Sequence, residues 1–270
     1  MPDCNHDCSS CGVENCGSRE IKKIEPHKGT TIKRVIGVMS GKGGVGKSLV
    51  TSLTAIALAK KGYKVAIMDA DVTGPSIPKA FGLDGMLANQ DENGLIPEKT
   101  SLGIKIMSAN LLLEDNEAPI IWRGPLVAGF VQQLFSEVNY GELDYLLIDM
   151  PPGTADIPLT IFQSLPIDGT IVVSSPQELV SMVVAKSINM ANMMYIPIVG
   201  LVENMAYLKC PECGKQIDLF GSEKFEKEIS RFKVKILARL PLDSTLAHLV
   251  DSGNIEDYDV SMFDDLVKAL

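Results

Sequence analysis

"RVIGVMSGKGGVGKSLVTSL", residues 34–53, joins an apolar, β-branched run to a helical pattern through a glycine-rich turn. Gly41 to Ser48 satisfy G-x-x-x-x-G-K-[ST] in full. Each position has a physical reason. Gly43, Gly44 and Gly46 let backbone N–H groups close around phosphate, and a helix starting near Lys47 turns its positive end toward the same point. Lys47 supplies positive charge to the β- and γ-phosphates, and Ser48 places a hydroxyl for Mg²⁺. A complete motif in strand–turn–helix context predicts a nucleoside triphosphate site at the head of an α/β sheet.

Working outward, the same alternation continues. "RVIGVMS", "KVAIMDA", "IKIMSA", "DYLLIDM", "DGTIVVSS", "IVGLVEN" and "KILARLP" are short apolar runs with strand character. Segments near 47–61, 124–139, 178–195, 221–231 and 243–252 carry helical spacing between them. Apolar strands joined by helical crossovers predict a doubly wound, mostly parallel sheet of about seven or eight strands, with helices on both faces. Residues 84–103 read as an excursion with hairpin character. Residues 1–33 show neither periodicity and form a cysteine-rich tail and linker, so the folded domain is expected over 34–270.

Composition narrows the function classes. The 270 residues are 46% hydrophobic and 22% charged, an ordinary globular mixture. A formal net charge of −9 argues against a phosphate-tracking surface, so no nucleic-acid partner is expected. No apolar run is long enough to span a bilayer, and the polar start does not read as a secretory signal, which together predict a cytoplasmic protein. The six cysteines fall in two clusters, four between residues 4 and 16 and two at 210 and 213. Such clustering in a reducing compartment points to metal rather than to disulfides.

Three aspartates end strands at the edge where open α/β sheets bind ligands: Asp69, Asp71 and Asp149. Carboxylates there suit Mg²⁺, which is held through oxygen ligands and their waters. Any one of them alone could equally cap a turn or helix.

With its second lysine, Lys42, the loop "KGGVGKS" resembles that of the deviant Walker A ATPases, the P-loop NTPase group containing MinD, ParA and the nitrogenase iron protein. "DADVTGPSIPKAFGL" (69–83), "IDMPPGTADIPLTI" (148–161) and "GLVENMAYLKCPECGK" (200–215) resemble the Mrp/ApbC branch, the iron–sulfur cluster carrier ATPases. That resemblance implies ATP as the nucleotide. It would be held by Gly41, Lys42, Gly43, Gly44, Val45, Gly46, Lys47, Ser48 and Leu49, with Asn204 on the adenine base and Asp243 of "LPLDS" closing the base pocket. Lys42 would reach across a dimer interface to the partner's nucleotide, and Asp71 would orient the attacking water. Ser48, Asp69 and Asp149 would act around Mg²⁺. Hydrolysis would be slow and switch-like, moving segments Asp71–Pro78 and Asp149–Asp156.

Cys210 and Cys213 supply two thiolates, half of what a soft metal centre needs. In a homodimer, two such pairs meeting at the two-fold axis would hold a bridging 4Fe–4S cluster. Structural zinc, or pairing with tail cysteines of the same chain, are the alternatives. The tail, C-x3-C-x2-C-x4-C at Cys4, Cys8, Cys11 and Cys16, fits a second 4Fe–4S cluster or zinc, with His6 as an alternative ligand. Some relatives carry a four-cysteine tail with a longer first gap, a pattern from which this chain departs.

The expected function is an ATP-hydrolysing carrier or scaffold that passes its cluster to apo iron–sulfur proteins. The rivals are a MinD- or ParA-like positioning ATPase and an ATP-driven reductase of the nitrogenase iron-protein type. The acidic end "EDYDVSMFDDLVKAL" lacks the basic amphipathic helix that membrane docking needs, so no membrane partner is expected. Four methionines in "SMVVAKSINMANMM" (181–194) read as core filler. Trp122 is a candidate for the dimer interface.

Overall fold

The computed structural model describes residues 23–71, 76–92, 94–112, 124–154, 156–176, 178–210, 212–219 and 222–270. Cys4, His6, Cys8, Cys11, Cys16 and Trp122 lie outside them, as do residues 72–75 of the first expected switch segment and residue 155 of the second.

Strands β1 (Thr31–Met39), β2 (Val65–Asp69), β3 (Asn89–Asp91), β4 (Gly94–Ile96), β5 (Glu98–Lys99), β6 (Lys105–Ser108), β7 (Glu142–Asp149), β8 (Gly169–Ser174), β9 (Ile198–Lys209), β10 (Gln216–Ile217) and β11 (Ile236–Leu242) alternate with helices. The helices are α1 (Lys47–Lys60), α2 (Ile77–Ala80), α3 (Gly124–Ser136), α4 (Asp156–Ser164), α5 (Glu178–Met193), α6 (Ser222–Ser230), α7 (Ser244–Asp251) and α8 (Asp264–Ala269). The main sheet runs β10-β9-β8-β1-β7-β2-β6-β5, with β11 beside β9. Every pairing is parallel except those of the two-residue strands β5 and β10. All seven expected strands are present, and the excursion contains the antiparallel pair β3–β4.

Period-two alternation explains why both faces are covered. Ile36 and Val38 of β1 point to the side packed by α1, α2, α7 and α8, whereas Val35 and Met39 point to α3, α4, α5 and α6. Helix α1 is buried nearly all round. Its Thr54 hydroxyl donates to the Val50 carbonyl at 2.7 Å, which lets a polar side chain sit inside the core.

Some expectations shift. β1 begins at Thr31, ahead of Arg34, because Thr31 already pairs with Glu142. The segment before it is anchored: Ile24 N–H donates to the Ser164 carbonyl at 2.8 Å and Lys23 Nζ to the Phe162 carbonyl at 2.6 Å, at the end of α4. Helices α4 and α8 were not anticipated, since Pro158 and the acidic run 264–265 obscure their periodicity. The methionine stripe divides. Met190 is buried and Met194 packs on the core, while Met182 and Met193 are 59% and 78% exposed, so only half of it fills the core.

The chain runs outward from β1 to β2 and β6, returns to β7, then crosses to β8 on the other side of β1. That reversal puts a crevice at the carboxyl end of β1, where the glycine-rich turn lies.

Candidate functional site

The turn leaves β1 at Ser40, whose hydroxyl donates to the Lys42 carbonyl at 3.0 Å. Gly44 and Gly46 take φ of 78° and 83°, left-handed values that glycine adopts without steric cost. Above Gly44 a Cβ would meet nothing within 4 Å, and above Gly43 only Pro152 at 3.9 Å, so the crest of the loop is open to a ligand. Its entry is tight. A Cβ on Gly41 would lie 2.4 Å from Val183 Cγ1 and 2.5 Å from the Val183 carbonyl oxygen. Because backbone cannot step aside cheaply, Gly41→Ala should lower stability by about 1–3 kcal/mol and depress the melting temperature. An unchanged melting curve would contradict this packing.

Three α1 side chains converge on one carboxylate. Lys47 Nζ donates to Asp149 Oδ2 at 2.7 Å, Ser48 Oγ donates to the same oxygen at 2.6 Å, and Thr51 Oγ1 lies 2.8 Å from Oδ1. Asp149 is fully buried, so only this shell makes its charge tolerable. Lys47 also stands 3.5 Å from Asp71 Oδ2. The neighbouring strand end adds Asp69, whose Oδ1 accepts from Asp71 N–H at 3.1 Å and whose Oδ2 accepts from the Ser108 hydroxyl at 3.1 Å. Burial first, then the nearby charge of Asp149, pushes the Asp69 carboxyl up to about 8, with Lys47 pulling the other way. The exit of β7 is tied to the loop by Gly153 N–H donating to the Ser40 carbonyl at 2.8 Å.

The expected phosphate and magnesium residues are thus brought together: Lys47, Ser48, Asp69, Asp71 and Asp149. Ser48, Asp69 and Asp149 carry hard oxygen donors of the kind Mg²⁺ prefers, and the Lys47 ammonium lies against Asp149. Lys42 is exposed on the loop crest. Thr51 and Ser108 were missed. A signal existed for Thr51, one turn after Lys47 on the same helix face, whereas Ser108 meets Asp69 only through the β2–β6 pairing.

Two residues expected at the base are engaged in other ways. Asn204 is buried behind the loop, its Nδ2 donating to the Val45 carbonyl at 2.9 Å. Asp243 caps α7, accepting from Thr245 N–H at 2.8 Å, and its other oxygen accepts from the Tyr258 hydroxyl at 3.0 Å. Burial, then that bond, raises the Tyr258 pKa.

The cysteine pair sits in the turn between β9 and β10. Cys210 N–H donates to the Lys215 carbonyl and Gly214 N–H to the Cys210 carbonyl, both at 2.9 Å, with Gly214 at φ 71°. Backbone hydrogen bonds from Cys213 and then Glu212 lower the Cys210 thiol pKa, which suits a thiolate ligand. Both cysteines are free, Cys213 exposed, and among the described residues no group of three or more His, Cys, Asp or Glu gathers to hold a metal. Within those residues the chain supplies two thiolates. The turn projects from the same carboxyl edge of the sheet as the phosphate loop.

Comparison with known proteins agrees with this geometry. A family model described as the NUBPL iron-transfer P-loop NTPase, of the ParA group, matches residues 31–268. An iron–sulfur cluster carrier protein of Clostridium perfringens is 46% identical over 259 residues, covering 93% of this chain and 90% of the relative. One from Methanocaldococcus jannaschii is 45% identical over 261 residues, with coverages of 94% and 90%. A nucleotide-binding protein from Archaeoglobus fulgidus, solved with ADP and with cobalt found in it, superposes with a TM-score of 0.78 at 46% identity, covering 86% of this chain and 91% of that one. The cell-division ATPase MinD of Pyrococcus furiosus, at 20% identity and a TM-score of 0.64 over 88% and 98% of the two chains, shares the fold.

Proposed function

This chain belongs to the ParA-type iron-transfer P-loop NTPases, and we propose from that premise that it is an ATP-hydrolysing carrier of iron–sulfur clusters. The observation that carries the proposal is a complete phosphate loop and a two-thiolate turn on one edge of one sheet, joined by a single strand, β9. The carboxyl end of β9 bears Cys210, and its middle touches the loop through Asn204.

ATP would lie along Gly41–Leu49, with its phosphates over the open crest at Gly43 and Gly44. Lys47, now neutralised by Asp149 and Asp71, would turn to the β- and γ-phosphates. Ser48, Asp69 and Asp149 would hold Mg²⁺, which supplies charge stabilisation to the triphosphate. Asp71, partly exposed at the crevice, would orient the attacking water.

The cargo is a 4Fe–4S cluster bridged by Cys210 and Cys213 of two subunits. Support for the homodimer comes from what shares the carboxyl edge: exposed Lys42, with Leu126 at the start of α3, Met182 near the start of α5 and Leu242 at the end of β11, respectively 63%, 59% and 48% exposed. Hydrolysis would change how the subunits meet and hence how tightly four thiolates hold the cluster, which then passes to apo iron–sulfur acceptors. Four thiolates also suit zinc, so metal analysis belongs in the test. The tail cysteines Cys4, Cys8, Cys11 and Cys16 offer a second site, for a cluster or zinc.

No helix among the described residues is long and apolar enough to cross a membrane. The test is anaerobic reconstitution followed by transfer to an apo-acceptor. Wild type should load iron and sulfide and transfer them, and the variant with Cys210→Ala and Cys213→Ala should transfer none. Transfer at the wild-type rate by that variant, or zinc without sulfide in the wild-type turn, would overturn the proposal.

A further inference from the structure

We infer that the amino edge of the sheet, where β2, β6 and β7 begin, carries a second ligand site that binds an organic phosphate through Lys99 and Lys105. It lies at the opposite end of the strands from the phosphate loop. The eight residues of β7 put Glu142 roughly 23 Å from Asp149. The site is separate from the nucleotide crevice and from the cysteine turn, and it goes beyond the carrier function.

Lys99 and Lys105 are direct register partners in the antiparallel pair β5–β6. Directly opposed residues of such a pair project from the same face, so two ammonium groups stand side by side. That arrangement weakens the pairing unless an anion lies between them. Lys64 is the third cation. It stands two residues before Ala66, the register partner of Lys105 on β2, and therefore on the same face as Lys105. The carboxylates of this corner are already matched: Glu142 Oε2 lies 2.8 Å from Lys64 Nζ, and Asp144 Oδ1 lies 2.7 Å from Lys33 Nζ. Among the described residues, Lys99 and Lys105 have no carboxylate partner.

Lys105 is half-buried, and its Nζ donates to the Tyr140 carbonyl, a neutral acceptor. That bond uses one of the three donors of an ammonium. A Cβ on Gly141 would come within 3.1 Å of the same nitrogen, so the group is seated close against the chain. Burial first, then the charges of Lys99 and Lys64, lower the Lys105 pKa, so the field acting on it comes from cations alone. On a chain of net charge −9, this unmatched positive corner is a local exception.

Lys64 and Lys105 line a cavity of about 440 Å³, a volume within the range of small-ligand sites. Tyr63, Leu102 and Leu143 add apolar wall. Tyr63 and Leu102 are 43% and 41% exposed, large apolar groups left uncovered beside the lysines. The Tyr63 ring is held edge-on against Tyr145, with centroids 5.3 Å apart. Two unmatched ammonium groups suit a dianion, and a phosphate monoester carries about −1.5 to −2 near pH 7, where a carboxylate carries a single charge. The organic part of the ester would cover Tyr63 and Leu102, which a bare ion leaves in water.

Acetylation of lysines by an N-hydroxysuccinimide ester, read residue by residue by mass spectrometry, tests the site. The full chain is used, its phosphate loop filled by stoichiometric non-hydrolysable ATP analogue and magnesium so that the loop does not compete for the probe. Phenyl phosphate should protect Lys105 and Lys99 but not Lys227, an exposed lysine of α6. It should do so at about tenfold lower concentration than inorganic phosphate, through the apolar surface it covers. Lys99→Ala should raise the concentration that protects Lys105 by about tenfold, the loss of one charge-assisted contact. Lys99 is exposed, and its removal relieves the opposed pair, so this variant folds where a change at half-buried Lys105 could fail. Four results would each overturn the inference: protection no greater than that by sodium chloride at equal ionic strength, equal protection of Lys227, wild-type behaviour of Lys99→Ala, or inorganic phosphate protecting as well as phenyl phosphate.

Discussion

Lys47→Met should abolish ATP hydrolysis, by about a thousandfold or more, and destabilise the nucleotide-free protein by about 3 kcal/mol. The first effect follows from removing the charge that would meet the γ-phosphate as negative charge develops there. The second follows from what the lysine holds in the free protein. Its ammonium is 2.7 Å from the fully buried Asp149 and 3.5 Å from Asp71, and its field holds down the Asp69 pKa. Without it, two buried aspartates face each other with no cation between them. Ser48 and Thr51 still hydrogen-bond Asp149, which keeps the loss toward the lower end of the range for a broken buried ion pair. The damage should be greater at pH 8 than at pH 6, since protonation of Asp69 relieves the repulsion. Steady-state hydrolysis and urea melts at both pH values check this. Hydrolysis within tenfold of wild type would refute the assignment of Lys47.

Asp69→Asn should do two opposite things. In the folded protein the Asp69 carboxyl is raised from its ordinary 3.8 to about 8, chiefly by burial. A raised folded pKa means that the folded state binds a proton the unfolded state has released. Stability from this group is therefore fully present below about pH 4 and is lost as pH rises through about 8. Asparagine imitates the protonated form at every pH. The nucleotide-free variant should thus match wild type only at about pH 4 and below, and exceed it increasingly up to about pH 8.5, by several kcal/mol. Hydrolysis should nevertheless fall by about a hundredfold or more, because an amide is a poor partner for Mg²⁺ and its waters. A stabilised, inactive protein is the expected outcome, with strain held at the site for the sake of the metal. Denaturant midpoints across pH 5–9, set beside magnesium-dependent hydrolysis, read both halves. A flat wild-type stability profile would contradict the burial of a titrating Asp69.

Much of this protein is legible before folding because its signals are local. The strand–turn–helix of residues 34–53 needs only neighbours in sequence to be recognised, and the strand ends at Asp69 and Asp149 follow from short apolar runs. The CPEC turn is likewise local, and its two thiolates could be counted at once. Where local periodicity was masked, the elements were harder to see. Pro158 hid α4, and the continuation of β9 from Asn204 to Lys209 was hidden by a bulge that breaks its alternation.

The roles of particular side chains depend on non-local contacts. Thr51 meets Asp149 because α1 lies against β7, and Ser108 meets Asp69 because β6 pairs with β2. Asp69 is driven toward protonation by burial among strands far apart in sequence. Asn204 shows the division most clearly. Sequence by itself determined that an asparagine stands six residues before the first cysteine of the turn, on a strand of a nucleotide-binding sheet. Tertiary structure alone decided that its amide lies beneath Gly46 and holds the Val45 carbonyl. That contact joins residues 159 apart, and no local pattern encodes a contact made only when β9 comes to lie beside β8 and β11 and bulges toward the loop.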